Sequence, residues 1–200
     1  MSETIKKTTE IATIDVALIT VQEQGSDNIY ALDTASNIGV TPNTETTDAV
    51  KLIIKGVLKA QKGETTTVTG NTLTLTDNVF SPELVKLLQG GTIYYWTSAE
   101  HTEKTTEETE FGIAGYKPPI TGSTEKGKVF ELCAYSAQYG TDGNIVQYEK
   151  IIYPNCKGQP IGLSSQDGAF RAPEYTIISA PSKDEAPYEI EYVSTLPTIA

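Results

Sequence analysis

The side chains that could do covalent or metal chemistry are few and poorly placed for it. His101 is the only histidine among the 200 residues, and it heads the charged run His101 to Glu110, which reads as a solvated loop. A Ser/His/Asp triad, a Cys/His pair or a two-histidine metal site would each have to be built around that one residue. Residues 122–129, GSTEKGKV, come close to the phosphate-cradling pattern of four residues between glycines followed by Lys. Val129 stands where a Mg²⁺-binding hydroxyl belongs, and Pro118-Pro119 precede it in place of a strand, so the segment reads as a glycine-containing turn. Carboxylates cluster at Glu107, Glu108 and Glu110, at Asp184 and Glu185, and at Glu189 and Glu191, without the Asp/Asn/Gly loop spacing that calcium asks for. Asp142-Gly143-Asn144 comes nearest to it, and a type I′ turn accounts for that tripeptide. Nothing singles out a pair of acids for glycoside hydrolysis. The expectation is a protein with no catalytic residue, no metal and no cofactor, and not an enzyme.

Charge narrows the function classes further. The chain carries 26 acidic and 15 basic side chains, a formal net charge of -11, and DNA affinity comes mostly from Lys and Arg releasing counterions. Tight nucleic-acid binding is not expected, whereas a wall that DNA passes without sticking is compatible with this charge. The start, MSETIKKTTEIATIDVALIT, lacks the apolar core of a secretory signal, and no apolar run approaches membrane-spanning length. A protein kept in a cytosol is expected, with Cys133 and Cys156 reduced and Cys133 a small core residue.

The elements that would hold any site are strands. Twenty-nine threonines and 11 tyrosines suit a pleated surface, and a single domain over residues 1–200 is expected. After a polar start from Ser2 to Glu10, the alternation of Ile14, Val16, Leu18 and Thr20 predicts a first strand. Residues 22–49 mix Gly, Asn, Asp, Ser and Pro with Ile29, Tyr30, Leu32, Ile38 and Val40, and read as a long loop, a feature that tends to be functional. Lys51 to Ala60 reads as one half-buried strand with Leu52, Ile54 and Leu58 on one face and Lys51, Lys55 and Lys59 mostly on the other. Gln61 to Glu64 turns it back into Thr65 to Thr76, where Thr72, Thr74 and Thr76 oppose Leu73 and Leu75.

One helix is strongly marked, over residues 82–89. Ser81 is its N-cap, Pro82 takes the first position, Glu83 sits near the positive end, and Gly90-Gly91 terminates it. Phe80 before the cap is placed to staple onto Val85, and Leu84, Leu87 and Leu88 form a packing stripe. The aromatic strand Thr92 to Trp96 is then expected to rejoin the sheet. Strands resume from Lys128, and in the last one Tyr188, Ile190 and Tyr192 face away from Glu189 and Glu191. Seven or eight strands are expected in all.

The order of these pieces is more specific than any one of them: an alternating strand, the Gly/Asn/Thr-rich segment, LIIKGVLKAQKG followed by TLTLTDNVFSPELVKLLQGG, and a close of GLSSQDGAFRAPEYTIISAP and APYEIEYVSTLP. From about Ile14 to Pro197 the chain resembles the tail tube protein (major tail protein) family of tailed bacteriophages. That resemblance implies a mainly β protomer, a β-sandwich or partly open barrel with one flanking helix. Its strands would join those of neighbours in a barrel around a lumen. It also implies homohexameric rings stacked into a tube in the virion tail, put together in the host cytoplasm. A tape measure protein would occupy the lumen, tail terminator and baseplate or distal tail proteins would cap the ends, and DNA would pass without specific binding or membrane insertion by this chain. Residues 22–49 would stack successive rings, with arms at both termini. Thr72, Thr74, Thr76, Lys51, Lys55, Lys59, Glu189 and Glu191 would form polar lumen or outer faces. The inner tube of a contractile tail or injection device fits the same reading, and a monomeric β-sandwich adhesin or carbohydrate-binding module is the alternative from another class.

Overall fold

The computed structural model describes residues 11–199. Within it the chain runs β1 (Thr13–Glu23), β2 (Ile29–Leu32), β3 (Ala35–Thr47), β4 (Val50–Ile54), β5 (Val57–Lys62) and β6 (Thr65–Asp77). Helix α1 (Pro82–Gln89) follows, then β7 (Thr92–Trp96), β8 (Lys104–Thr105) and β9 (Ile113–Lys117). The last strands are β10 (Val129–Tyr139), β11 (Ile145–Gly158), β12 (Glu174–Ser179) and β13 (Glu189–Val193). The thirteen strands among the described residues exceed the expected seven or eight because several carry no apolar alternation and are held by backbone pairing. The expected loop over residues 22–49 is the main correction: it contains β2 and β3, and β3 alone spans 13 residues. The polar start and the N-terminal arm lie mostly outside the described residues, while the C-terminal tail folds back so that Leu196 packs against Leu18, Cys133 and Tyr135.

The strand ladders are antiparallel throughout. The main sheet runs β2-β1-β10-β11-β12-β6-β3, with β13 joined to β11. Strand β11 is long enough to hold two neighbours on one edge, β13 along Tyr148–Ile152 and β12 along Cys156–Gly158. β2 and β3 lie at opposite ends of this order, yet only Asp33 and Thr34 separate them in the chain. Three Cα–Cα steps of ~3.8 Å cannot span more than about 11 Å, so the sheet must roll until its two ends meet. Thr34 then donates its hydroxyl to the buried Asp77 carboxylate at 2.6 Å, fastening the link to the end of β6. The outcome is a mainly β, partly open barrel with a single helix on its flank.

Rolling encloses one large core. Ile19 and Val21 from β1, Leu73 and Leu75 from β6, Phe130 and Leu132 from β10, Tyr153 and Cys156 from β11, and Tyr175 and Ile177 from β12 meet there, all nearly or wholly inaccessible. The helix closes the side that the sheet leaves open. Ser81 accepts a hydrogen bond from the Leu84 N–H, Gly90 donates back to the Lys86 carbonyl, and Leu84, Val85, Leu87 and Leu88 are all buried. Phe80 joins the same cluster as Val85. A Cβ on Gly158 would lie 2.5 Å from the Leu88 Cβ, so only glycine lets the helix approach β11 this closely.

β7 departs from expectation. It does not rejoin the main sheet; it forms a separate three-stranded sheet with β8 and β9. The supposed hydrophilic loop at 101–110 supplies β8, which pairs Thr105 with Tyr95 and Lys104 with Trp96.

Candidate functional site

The residues with the chemistry of an active site are dispersed. His101 is exposed and stacks on Trp96 with ring centroids 5.0 Å apart, while the Lys104 ammonium lies 5.0 Å from the same indole. The segment 122–129 straps the helix end: the Gly91 N–H donates to the Glu125 carboxylate at 2.9 Å and the Lys128 N–H to the Leu87 carbonyl at 2.8 Å. At the turn, Asp142 accepts from the Asn144 side-chain amide at 2.7 Å, and this bond together with the Asn144 backbone N–H holds its carboxyl below the usual range. Cys133 and Cys156 are unpaired and buried, and burial pushes both thiols up to about 12. Among the described residues no group of three His, Cys, Asp or Glu side chains is placed to hold a metal ion.

What the fold does present is an arm. Beyond the Asn43–Gly70 pair, the ladder of β3 and β6 leaves the core and continues as a two-stranded ribbon to Thr47 and Thr65. β4 and β5 cap it as a further hairpin, and every residue of both strands is exposed. Val50, Leu52, Ile53, Ile54, Val57 and Leu58 are 47–65 % exposed. The hairpin turns at Lys55 and Gly56, whose φ angles of 51° and 76° are the left-handed pair that a type I′ turn requires.

That turn corrects the expected long hairpin. Lys51 to Ala60 is two strands with Lys55 in the bend, and β6 returns beside β3 instead of beside β4. Cross-strand pairs place Val50, Leu52 and Ile54 on one face with Val57, Ala60 and Lys62, and Lys51 and Ile53 on the other with Gln61 and Leu58. Leu58 therefore shares the Lys51 face, contrary to expectation. Lys59 falls at the bulge between the Leu52 and Ile53 pairs.

The threonine face survives. Leu73 and Leu75 are fully buried while Thr72, Thr74 and Thr76 are half-buried on the opposite side. Their cross-strand partners are Thr41, Gly39 and Asn37 on β3 and Ile178, Thr176 and Glu174 on β12. Thr72 donates to the Asn43 side chain at 3.0 Å. This is a broad hydroxyl-rich face without a lysine among the nine residues named.

β13 offers a third feature. It pairs on one side with β11, and Tyr188 leads into it after the fully buried Asn71 amide fixes the Pro187 carbonyl at 2.8 Å. Tyr188, Ile190 and Tyr192 are 45–47 % exposed. Glu189 and Glu191 lie on the other face, where Glu191 meets Lys150 at 2.9 Å. The five residues expected to stack rings do not form one surface: Leu32 is buried, Tyr30 and Ile38 pack against the core, and Ile29 and Val40 are exposed. The six exposed apolar residues of the hairpin were the stronger signal, and Lys55-Gly56 between two apolar runs was the mark that would have revealed them.

No protein-family model matches the chain, and no curated protein matches it. Among solved structures it is similar to a chain of the six-fold symmetrised cryo-EM structure of the anti-feeding prophage (AFP) baseplate. That likeness covers 94% of this chain and 98% of the other, at 7% sequence identity and a TM-score of 0.37. A likeness this distant carries no argument about function. Among the described residues no helix is long and apolar enough to cross a membrane.

Proposed function

We propose that the chain is the subunit of a phage-type tail tube: it forms hexameric rings that stack into a hollow conduit for DNA. The exposed arm carries this reading. A two-stranded hairpin with apolar side chains on both faces has no core of its own to bury, and such a patch marks a protein interface. The half-buried threonine face of β3, β6 and β12 supplies a water-compatible lumen wall, and with the hairpin lysines away from it that wall does not hold a polyanion. Among the described residues the far edge of β13 and the β3–β6 ribbon beyond Asn43 and Gly70 have no further partner strand; they give neighbours strands to join, which removes the liability of open edges. A tape measure protein in the lumen and terminator and baseplate proteins at the ends follow from the same reading, as does a place in the virion tail.

Electron microscopy of the purified protein in negative stain tests it, with hollow rings or tubes expected. The matched variant replaces residues 48–64 by Asn-Gly, which closes the Thr47–Thr65 pair with a two-residue turn. It is expected to fold and to lose ring stacking. Normal tubes from that variant, or a monomer at every concentration of the parent, overturn the proposal.

A further inference from the structure

The hairpin is charged as well as apolar, and its charge is opposite to that of the rest of the molecule. Residues 50–62 (VKLIIKGVLKAQK) hold four lysines and no acid. Taking those four from the 15 basic side chains leaves 11 against 26 acidic ones, so the remainder of the chain bears -15. A second copy therefore presents an attractive surface to this hairpin, and the structure allows the receiving place to be chosen.

Several acidic surfaces compete. The cleft of about 440 Å³ lined by Glu23, Asp27, Glu131 and Glu185 is mainly polar, with only Phe130 and Pro154 to meet the apolar face of the hairpin. The groove of about 600 Å³ beside Ile29, Val79 and Ile199 is apolar, but Asp77 there is buried and already bonded to Thr34, which leaves Glu83 alone. β13 satisfies both demands. It alternates exposed Tyr188, Ile190 and Tyr192 with Glu189 and Glu191, and its edge away from β11 has no partner strand among the described residues. β4 alternates in the same period, and among the described residues its edge away from β5 has no partner strand. Residues opposed across a strand pair lie on one face. Setting Val50, Leu52 and Ile54 beside Tyr188, Ile190 and Tyr192 therefore brings Lys51 to the face of Glu189 and Glu191. Glu189 makes no ion pair among the described residues, and the Asn71–Pro187 bond holds the strand in place before any partner arrives.

We propose that the β4–β5 hairpin of one subunit adds its basic, apolar edge to the acidic, aromatic edge of β13 in a second copy. The proposal rests on the assembly reading above and names the surface that receives the arm. Charge complementarity then sets partner and register, and backbone pairing with apolar contact supplies the hold.

A charge-reversal cycle tests it, read by sedimentation velocity at 50 mM and 1 M salt. Lys51→Glu with Lys59→Glu is expected to raise the concentration for half-assembly at least tenfold at low salt. Glu189→Lys with Glu191→Lys should do the same. An equimolar mixture of the two double variants should recover assembly to within threefold of the parent, through heterotypic contacts. Glu107→Lys with Glu108→Lys, reversed outside both segments of the contact, should by itself leave the concentration for half-assembly within threefold of the parent. Thermal melts of each variant check that the fold is intact, since the altered positions are exposed except for the loss of the Lys150 pair. A parent that stays monomeric overturns both this pairing and the tube reading. A parent that assembles, with no recovery in the mixture, overturns the pairing alone.

Discussion

Leu84 and Leu88 are each 1 % exposed, and they show how a single side chain decides whether this subunit folds. Leu→Ala at such sites costs about 2–5 kcal/mol, and a carboxylate in the same place adds the cost of an unpaired buried polar group. Against the about 5–15 kcal/mol that holds a domain together, Leu84→Asp or Leu88→Asp is expected to give unfolded or aggregated protein. Gly158→Ala acts on the same contact from the sheet side, because its Cβ would overlap Leu88. About 1–3 kcal/mol of destabilisation follows from such overpacking. Urea denaturation checks all three. A Leu84→Asp subunit with the parent's midpoint would mean that the stripe serves an interface between copies instead of the subunit's own core.

Elements differ in how plainly the sequence announces them, and the difference is physical. Helix α1 was legible to the residue because Ser81, Pro82 and Gly90 act locally, on groups within one turn. The core face of β6 was legible for the same reason: Leu73 and Leu75 alternate with threonines whatever strand lies beside them. β3 was not, since ASNIGVTPNTETT carries no apolar period and becomes a strand only by pairing with β6, 18 residues further along the chain. The arm is not legible because the apolar residues of β4 and β5 follow one another as those of a core-facing strand do, although all of them are exposed. The hairpin is expected to behave as its burial implies. In the monomer, amides of residues 50–62 should exchange with solvent near the unprotected rate, as those of an isolated two-stranded ribbon do. Amides of β10 and β11 should stay protected by about a thousandfold or more. Assembly should then slow exchange in the hairpin selectively. Equal protection of hairpin and core in the monomer would refute this, and with it the view that the arm waits for a partner.

Over the whole molecule, the buried ionisable groups set an alkaline limit. The Cys133 and Cys156 thiols and the Tyr153 and Tyr175 hydroxyls are all pushed up to about 12, chiefly by burial, with Glu131 adding to Cys133, Tyr188 to Tyr153 and Asp77 to Tyr175. Unfolded, the thiols release their protons at 9.0 and the phenols at 10.0. Between those values and 12 the folded chain binds more protons than the unfolded one, so stability falls as pH rises. It is fully present below about pH 9 and is lost through about pH 12, at up to about 1.4 kcal/mol per pH unit for each group that is wholly shielded. Cys156 is fully buried, and Cys156→Ala should make the fall in melting temperature above about pH 9 shallower, with Cys133 still setting where it begins. Calorimetry from pH 7 to 11 measures this, and a melting temperature flat to pH 11 would show that these thiols and phenols ionise without opposing the fold.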